Sequence, residues 1–285
     1  MEIRTVGIVG AGQMGSGIAH VAALSGYNVL LTDIEAEVLE KGLETLTYNL
    51  DRQIKKGLVD EGARSAVLGR ITSSTHVSEH RTADLVIESA VENFAIKAEI
   101  FRQLDVLCPP QAVFASNTSS ISITRLAAVT GRPDRFIGMH FMNPVPMMRL
   151  VEVIRGLETA EQTVAAIRAV AEAMGKTPVE CNDYPGFVAN RLLMPMINEA
   201  VFAVADGVAT AEAVDQIMTL GMNHPMGPLR LADLIGLDTL LGVMRILHDE
   251  FGDPKYRPCP LLVKMVDGGR LGRKSGRGFF EYGED

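Results

Sequence analysis

Residues Gly7 to Asp33, GIVGAGQMGSGIAHVAALSGYNVLLTD, constrain the fold more than any other part of the chain. A short apolar run, Val6 to Val9, breaks into Gly10-x-Gly12-x-x-Gly15, with Gln13 and Met14 inside the turn. A helix-patterned segment follows, and a second apolar run, Tyr27 to Leu31, leads to Asp33. That order is a β-α-β unit. Gly10 permits the tight turn off the strand, Gly12 lets a pyrophosphate approach the backbone, and Gly15 lets the helix pack closely; the N–H groups at the helix start then hold the anion. Asp33 stands about 20 residues on, where a carboxylate accepts hydrogen bonds from an adenosine ribose. It would repel a 2′-phosphate, and neither Ile34 nor Glu35 supplies a cation, so NAD is favoured over NADP. FAD binds through the same kind of fragment, so on these residues alone it stays open, as does a plain structural turn.

The 285 residues suffice for one or two domains. A net charge of −8 argues against a general binder of nucleic acid or membrane surfaces, so an anionic substrate must meet a local basic patch. Cys108, Cys181 and Cys259 lie far apart and are odd in number. They fit neither a disulfide framework nor a metal cluster, so buried, inert thiols in a reducing, cytoplasmic setting are expected. The few residues before the first strand leave no room for a signal peptide, and no run of about 18 apolar residues marks a membrane span.

The first half alternates strand-like and helix-like segments, as a mostly parallel sheet requires. Strands are expected at Ile71–Ser74, Leu85–Glu88, Val113–Ala115 and Phe136–His140, continuing with Leu150–Ile154 and Thr177–Glu180. The polar stretch Glu35 to Leu68 is long for a crossover and reads as a helical hairpin insertion. A turn cluster, Asp183-Tyr184-Pro185-Gly186, marks a domain junction. Beyond it the pattern is helical over Val188–Val204, Ala211–Leu220 and Leu237–Glu250. The expected architecture is therefore α/β: a Rossmann-type domain over 1–182 and an all-helical domain over 183–285. The segment Ala189 to Val204 is apolar on much of its circumference, which suggests burial on more than one side, against the other domain or another subunit.

His140 ends a strand, where open α/β sheets face their ligand crevice, and is suited to proton transfer; a packed histidine fits equally. Glu152 sits inside the apolar run Leu150 to Ile154 and needs a partner if buried. Arg149 and Arg155 fall on the opposite strand face, which leaves His140 as a mate; a surface carboxylate on an edge strand is the alternative. Ser116-Asn117-Thr118-Ser119-Ser120 follows another strand, with small polar groups suited to a substrate oxygen, to a nicotinamide or to capping a helix from Ile121. Asn190, in a mostly apolar helix, either points at the crevice or ties helices together. Asn49, Arg52 and Lys56 share a helix face beside Lys55, a phosphate patch or an ordinary solvated face. Met139, Met142, Met147 and Met148 surround His140, as a soft wall for an acyl tail or as ordinary packing.

GAGQMGSGIA, VENFAIKAEIF, ASNTSS, HFMNPVPMMRLVEV, DYPGFVANRLL, HPMGP and GRKSGRGFFEY, in this order, resemble the L-3-hydroxyacyl-CoA dehydrogenase family, and its single-function short-chain members above all. The resemblance implies NAD as cofactor, an acyl-CoA substrate, a homodimer, and no metal. It maps a catalytic histidine onto His140, its partner onto Glu152, and substrate-oxygen contacts onto Ser119 and Asn190. Cofactor contacts fall on the glycine loop with Gln13 and Met14, and on Asp33, Glu92, Lys97, Asn117, Ser119, Asn143 and Lys274. Coenzyme A contacts fall on Asn49, Arg52 and Lys56. Met142 departs from the phenylalanine of many relatives, which leaves the chain-length preference open. Related dehydrogenases of free hydroxy acids would have no use for the Lys56 patch. Crystallin-like structural relatives are the non-enzymatic alternative, and the complete set Ser119, His140, Glu152 and Asn190 speaks against them.

Overall fold

Val6, Ile8, Val29, Leu31, Leu85, Ile87, Val113 and Ala115 are buried apolar residues in short runs, the pattern of parallel strands covered on both faces. In the computed structural model, which describes residues 2–283, they lie on four central strands of one eight-stranded sheet. The chain divides into two compact units, Met1–Tyr184 and Pro185–Asp285.

The first unit opens with β1 (Thr5–Val9), α1 (Gln13–Leu24) and β2 (Asn28–Thr32). The hairpin follows as α2 (Ala36–Lys55) and α3 (Ala63–Gly69), then β3 (Ile71–Ser74) and β4 (Leu85–Glu88). Next come α4 (Phe94–Leu107), β5 (Val113–Ser116), α5 (Ile123–Ala127) and β6 (Phe136–Phe141). β7 (Leu150–Arg155), α6 (Glu161–Ala173) and β8 (Thr177–Asn182) complete the unit. The sheet order is β3-β2-β1-β4-β5-β6-β7-β8. The first six strands run parallel; β7 pairs antiparallel to β6, and β8 parallel to β7. Strand order reverses between β1 and β4, and the carboxyl ends there form the crevice in which such sheets bind ligands.

Expected strands are all present, with ends shifted by a residue or two. The hairpin is seated by α2's buried stripe, Leu39, Gly42, Leu46 and Leu50. A Cβ on Gly42 would overlap the Ala11 carbonyl, so α2 rests directly against the glycine loop. His20 of α1 and Gln53 of α2 share a 2.9 Å hydrogen bond.

The second unit contains α7 (Ala189–Ala205), α8 (Ala211–Met222), α9 (Pro228–Ile235), α10 (Leu237–Phe251) and α11 (Pro260–Asp267) around its own core. α7 turns one stripe, Asn190, Met194, Ile197, Asn198 and Val201, to the inside, while Leu192 is 68% exposed in the single chain. Asn198 is the amide that ties the unit together, donating to the Arg257 carbonyl and accepting from the Cys259 N–H. Among the described residues no helix is long and apolar enough to cross a membrane.

Candidate active site

The three glycines of the first turn are each required for a different reason. Gly10 has φ +98°, and a Cβ there would meet the Ser89 carbonyl at 2.5 Å. A Cβ on Gly15 would overlap the Gly10 carbonyl, so this glycine sets how closely α1 packs. A Cβ on Gly12 would meet nothing within 4 Å. Packing therefore does not demand glycine at 12, whereas the approach of a phosphate to backbone does. Gly12 is the N-cap of α1, and no side chain caps that helix. Asp33, just past β2, accepts the Ala11 N–H through Oδ2 at 2.8 Å, which fixes its carboxylate beside the loop. Gln13 is exposed and Met14 is half-buried against the core. These residues fit a dinucleotide.

The antiparallel register of β6 and β7 sets His140 directly opposite Glu152. His140 Nδ1 lies 2.7 Å from Glu152 Oε2; the residues are 9% and 4% exposed. Their neighbours Met139, Phe141, Val151 and Val153 point into the core, so strand alternation puts the polar pair on one face. An ionised carboxylate only accepts, so this contact calls for the proton on Nδ1, which in a neutral ring leaves the lone pair on Nε2. The carboxylate is thus no edge-strand surface group. Arg155 turns away and bonds Glu180 and Glu161, while Arg149 lies before β7. Asn117 staples the strand ends: Oδ1 accepts the Phe141 N–H at 2.9 Å, and Nδ2 donates to Ser89 Oγ at 3.2 Å.

Ser119 is half-buried on the loop after β5. Glu92 Oε1 gathers that loop, accepting the Ser119 and Ser120 N–H groups at 3.0 and 3.1 Å and the Thr118 hydroxyl at 2.6 Å. Burial alone would raise the Glu92 carboxyl; the Lys97 charge and these hydrogen bonds outweigh it and hold the group below its ordinary value. Lys97 is only 1% exposed and bonds Glu88, the Ala90 carbonyl and Glu92, a place beneath the loop rather than on its surface. The cap of α5 is Ser122, not a residue of 116–120, and the Asp183 carboxylate accepts the N–H groups of Ile123 and Thr124 there.

Asn143 is exposed on the β6–β7 connection. Of the methionines, Met139 is core, Met142 half-buried, and Met147 and Met148 exposed. Asn49 is half-buried and Arg52 exposed on α2; Lys56, exposed, is that helix's C-cap rather than a helical residue. Asn190 and Lys274 belong to the helical unit, where Asn190 is buried and Lys274 pairs with Asp238 at 2.6 Å. The cysteines are free thiols, and burial pushes Cys108 up to about 11 and Cys181 up to about 12, so neither is a thiolate near neutrality. Sequence reasoning missed Glu88, which is buried at the end of β4 and bonded to Lys97 and Ser116. The signal was available: a carboxylate closing the apolar run Leu85-Val86-Ile87 needs a partner for the same reason as Glu152.

Residues 5–184 match the family described as 3-hydroxyacyl-CoA dehydrogenase, NAD binding domain, and residues 186–282 its C-terminal domain. A protein of Bacillus subtilis named probable 3-hydroxybutyryl-CoA dehydrogenase is 57% identical over 284 residues, covering 100% of this chain and 99% of the relative. A 3-hydroxybutyryl-CoA dehydrogenase of Bradyrhizobium diazoefficiens is 53% identical over 98% of this chain and 96% of its own. The crystal structure of (S)-3-hydroxybutyryl-CoA dehydrogenase from Ralstonia eutropha superposes with a TM-score of 0.97 at 53% identity, covering 99% of this chain and 100% of that one. With both domain families matched in order and relatives above half identity along the whole length, the chain belongs to the 3-hydroxyacyl-CoA dehydrogenase family.

Proposed function

We propose that the chain interconverts (S)-3-hydroxybutyryl-CoA and acetoacetyl-CoA in an NAD-dependent reaction, with His140 as general acid and base. The observation that carries this reading is the 2.7 Å contact between His140 Nδ1 and Glu152 Oε2, on a strand adjacent to the one leading into Ser119. When bound, the nicotinamide supplies the acceptor for the hydride leaving C3. His140 Nε2 takes the 3-hydroxyl proton, and the Glu152 carboxylate holds Nδ1–H and balances the imidazolium. In the reductive direction the ring starts protonated and returns that proton to the 3-oxygen. The Ser119 hydroxyl and the Asn190 amide orient this oxygen. Asp33 accepts from the adenosine ribose, the start of α1 receives the pyrophosphate, and Glu92, Asn117, Asn143 and Lys274 complete the cofactor contacts, with Lys97 acting from behind Glu92.

Asn49, Arg52 and Lys56 meet the phosphates of coenzyme A in this reading. Two of them are exposed cations in an acidic chain, which supports it. The competing account is simple: cations at a helix C-terminus are stabilised by its dipole without any ligand. The helical unit serves substrate binding and dimerisation. Its exposed apolar residues, Leu192 on α7 with Ile217, Leu220 and Met222 on α8, support a homodimer, and a monomer mass by light scattering at micromolar concentration would count against it. The free thiols suit a reducing compartment such as the cytoplasm.

The test is NADH oxidation with acetoacetyl-CoA, free acetoacetate and NADPH compared in one assay. Rapid turnover is expected for acetoacetyl-CoA with NADH, and much lower kcat/KM for the other pairings. Equal use of free acetoacetate would redirect the assignment to a free hydroxy acid, equal use of NADPH would remove the role of Asp33, and no oxidation at all would leave a non-enzymatic relative.

A further inference from the structure

Glu88 is a charge that the reaction as proposed does not use. It closes β4 with no exposed surface, in a position where an unmatched carboxylate is strongly unfavourable. Oε1 accepts the Ala90 N–H at 2.6 Å and Lys97 Nζ at 2.7 Å; Oε2 accepts the Ser116 hydroxyl at 2.7 Å. From Glu88 two routes lead to the Ser119 loop. In one, Ser116 Oγ accepts the Thr118 N–H at 3.2 Å. In the other, Lys97 Nζ reaches Glu92 Oε2 at 3.4 Å, and Glu92 Oε1 accepts the Thr118 hydroxyl and the Ser119 and Ser120 N–H groups. The routes meet at Thr118, so Glu88, Lys97, Glu92, Thr118 and Ser116 form a closed ring with Ser119 next in the chain.

We propose that Glu88 is a positioning residue that fixes Ser119 through this ring; the inference rests on the role given above to Ser119. Lys97 stands between two carboxylates and lies closer to Glu88 than to Glu92, 2.7 against 3.4 Å. A neutral group at 88 leaves Lys97 with Glu92 as its one carboxylate and draws Glu92 inward, away from Ser119 and Ser120. Glutamine cannot substitute quietly. With its NH₂ toward Lys97 it opposes two donors, and with its NH₂ toward Ser116 it removes the acceptor of that hydroxyl. A role limited to seating α4 on the sheet predicts only lost stability.

The experiment compares Glu88→Gln, Ser119→Ala and the double variant in the full chain. Wild-type reduction of acetoacetyl-CoA is measured first, and its absence would sink the proposed function and this inference with it. Glu88→Gln should lower kcat by about 10–100-fold, as misplacement of a reacting contact does. The double variant should stay within about threefold of Ser119→Ala, because both changes remove one interaction. Hydrogen exchange, read without cofactor, should quicken at the Ser119 and Ser120 amides and stay unchanged across Val6–Val9. Multiplying losses, or unchanged exchange at 119 and 120, would overturn the role of Glu88 alone. A Ser119→Ala enzyme with full kcat would overturn the role of Ser119 and, with it, that of Glu88. Should Glu88→Gln fail to fold, Ser116→Ala removes one hydroxyl from the same ring, and the same coupling and exchange pattern, smaller in size, decides by the same criteria.

Discussion

His80 lies against β1 and β2 with no exposed surface, while His140, the penultimate residue of β6, has 9% of its surface exposed. The Nε2 of His80 bonds the Thr32 hydroxyl at 2.8 Å, its ring occupies the space a Cβ on Gly7 would need, and burial pushes it down to about 4. His140 instead has a carboxylate 2.7 Å from Nδ1. A histidine against a sheet is thus no base by position alone. His80 bonds a neutral hydroxyl and is neutral through the physiological range, a packing residue. His140 faces a counter-charge that can match an imidazolium, and it stands near the carboxyl end of its strand.

The contrast breaks first at His140→Gln. This change should lower kcat for acetoacetyl-CoA reduction by ~10²–10⁴-fold while the NADH dissociation constant, from fluorescence titration, stays near wild type. Near-normal turnover would remove His140 from the chemistry. Glu152→Gln keeps the shape but removes the counter-charge, and a kcat loss of roughly 10²-fold is expected, with folding preserved by circular dichroism.

The other half of the contrast is tested by acid. Folded His80 has its pKa below the unfolded value near 6.5, so the stability it contributes is complete above pH 6.5 and is lost as pH falls toward 4. The loss amounts to about 3 kcal/mol between pH 7 and 4. Urea unfolding of wild type and His80→Gln at both pH values should show a flatter pH dependence for the variant. Equal slopes would mean that His80 is not held neutral. The smallest effect belongs to Lys56→Glu, far in sequence from either histidine. KM for acetoacetyl-CoA should rise about threefold to tenfold with kcat much less affected, and added salt should shrink the difference. An unchanged KM at low ionic strength would make the patch a solvated face.

Legibility in the sequence follows the range of the interaction. β1, α1 and β2 are readable because their glycines, apolar runs and terminal Asp33 are set within one local unit. The His140–Glu152 pair is readable because a carboxylate inside an apolar strand needs a partner and its flanking arginines fall on the other strand face. The Glu88 ring was not read, since its members come from β4, α4 and the loop after β5, brought together by sheet order rather than spacing. Ser122 as the cap of α5 was missed for a related reason: Asp183, 61 positions away, supplies the carboxylate that fixes that turn. Which face of α7 its own unit covers was hidden, because apolar composition does not tell which face another helix packs on.

The central claim is that Glu152 holds His140 by Nδ1 and leaves Nε2 to exchange the substrate's proton. Nitrogen-15 NMR of histidine-labelled protein, with signals assigned through His140→Gln and His80→Gln, reads this directly. The account predicts that the neutral His140 ring is the Nδ1–H tautomer, and that Glu152→Gln weakens this preference. A neutral His140 found as the Nε2–H tautomer would contradict it, because the proton would then occupy the nitrogen that has to accept one.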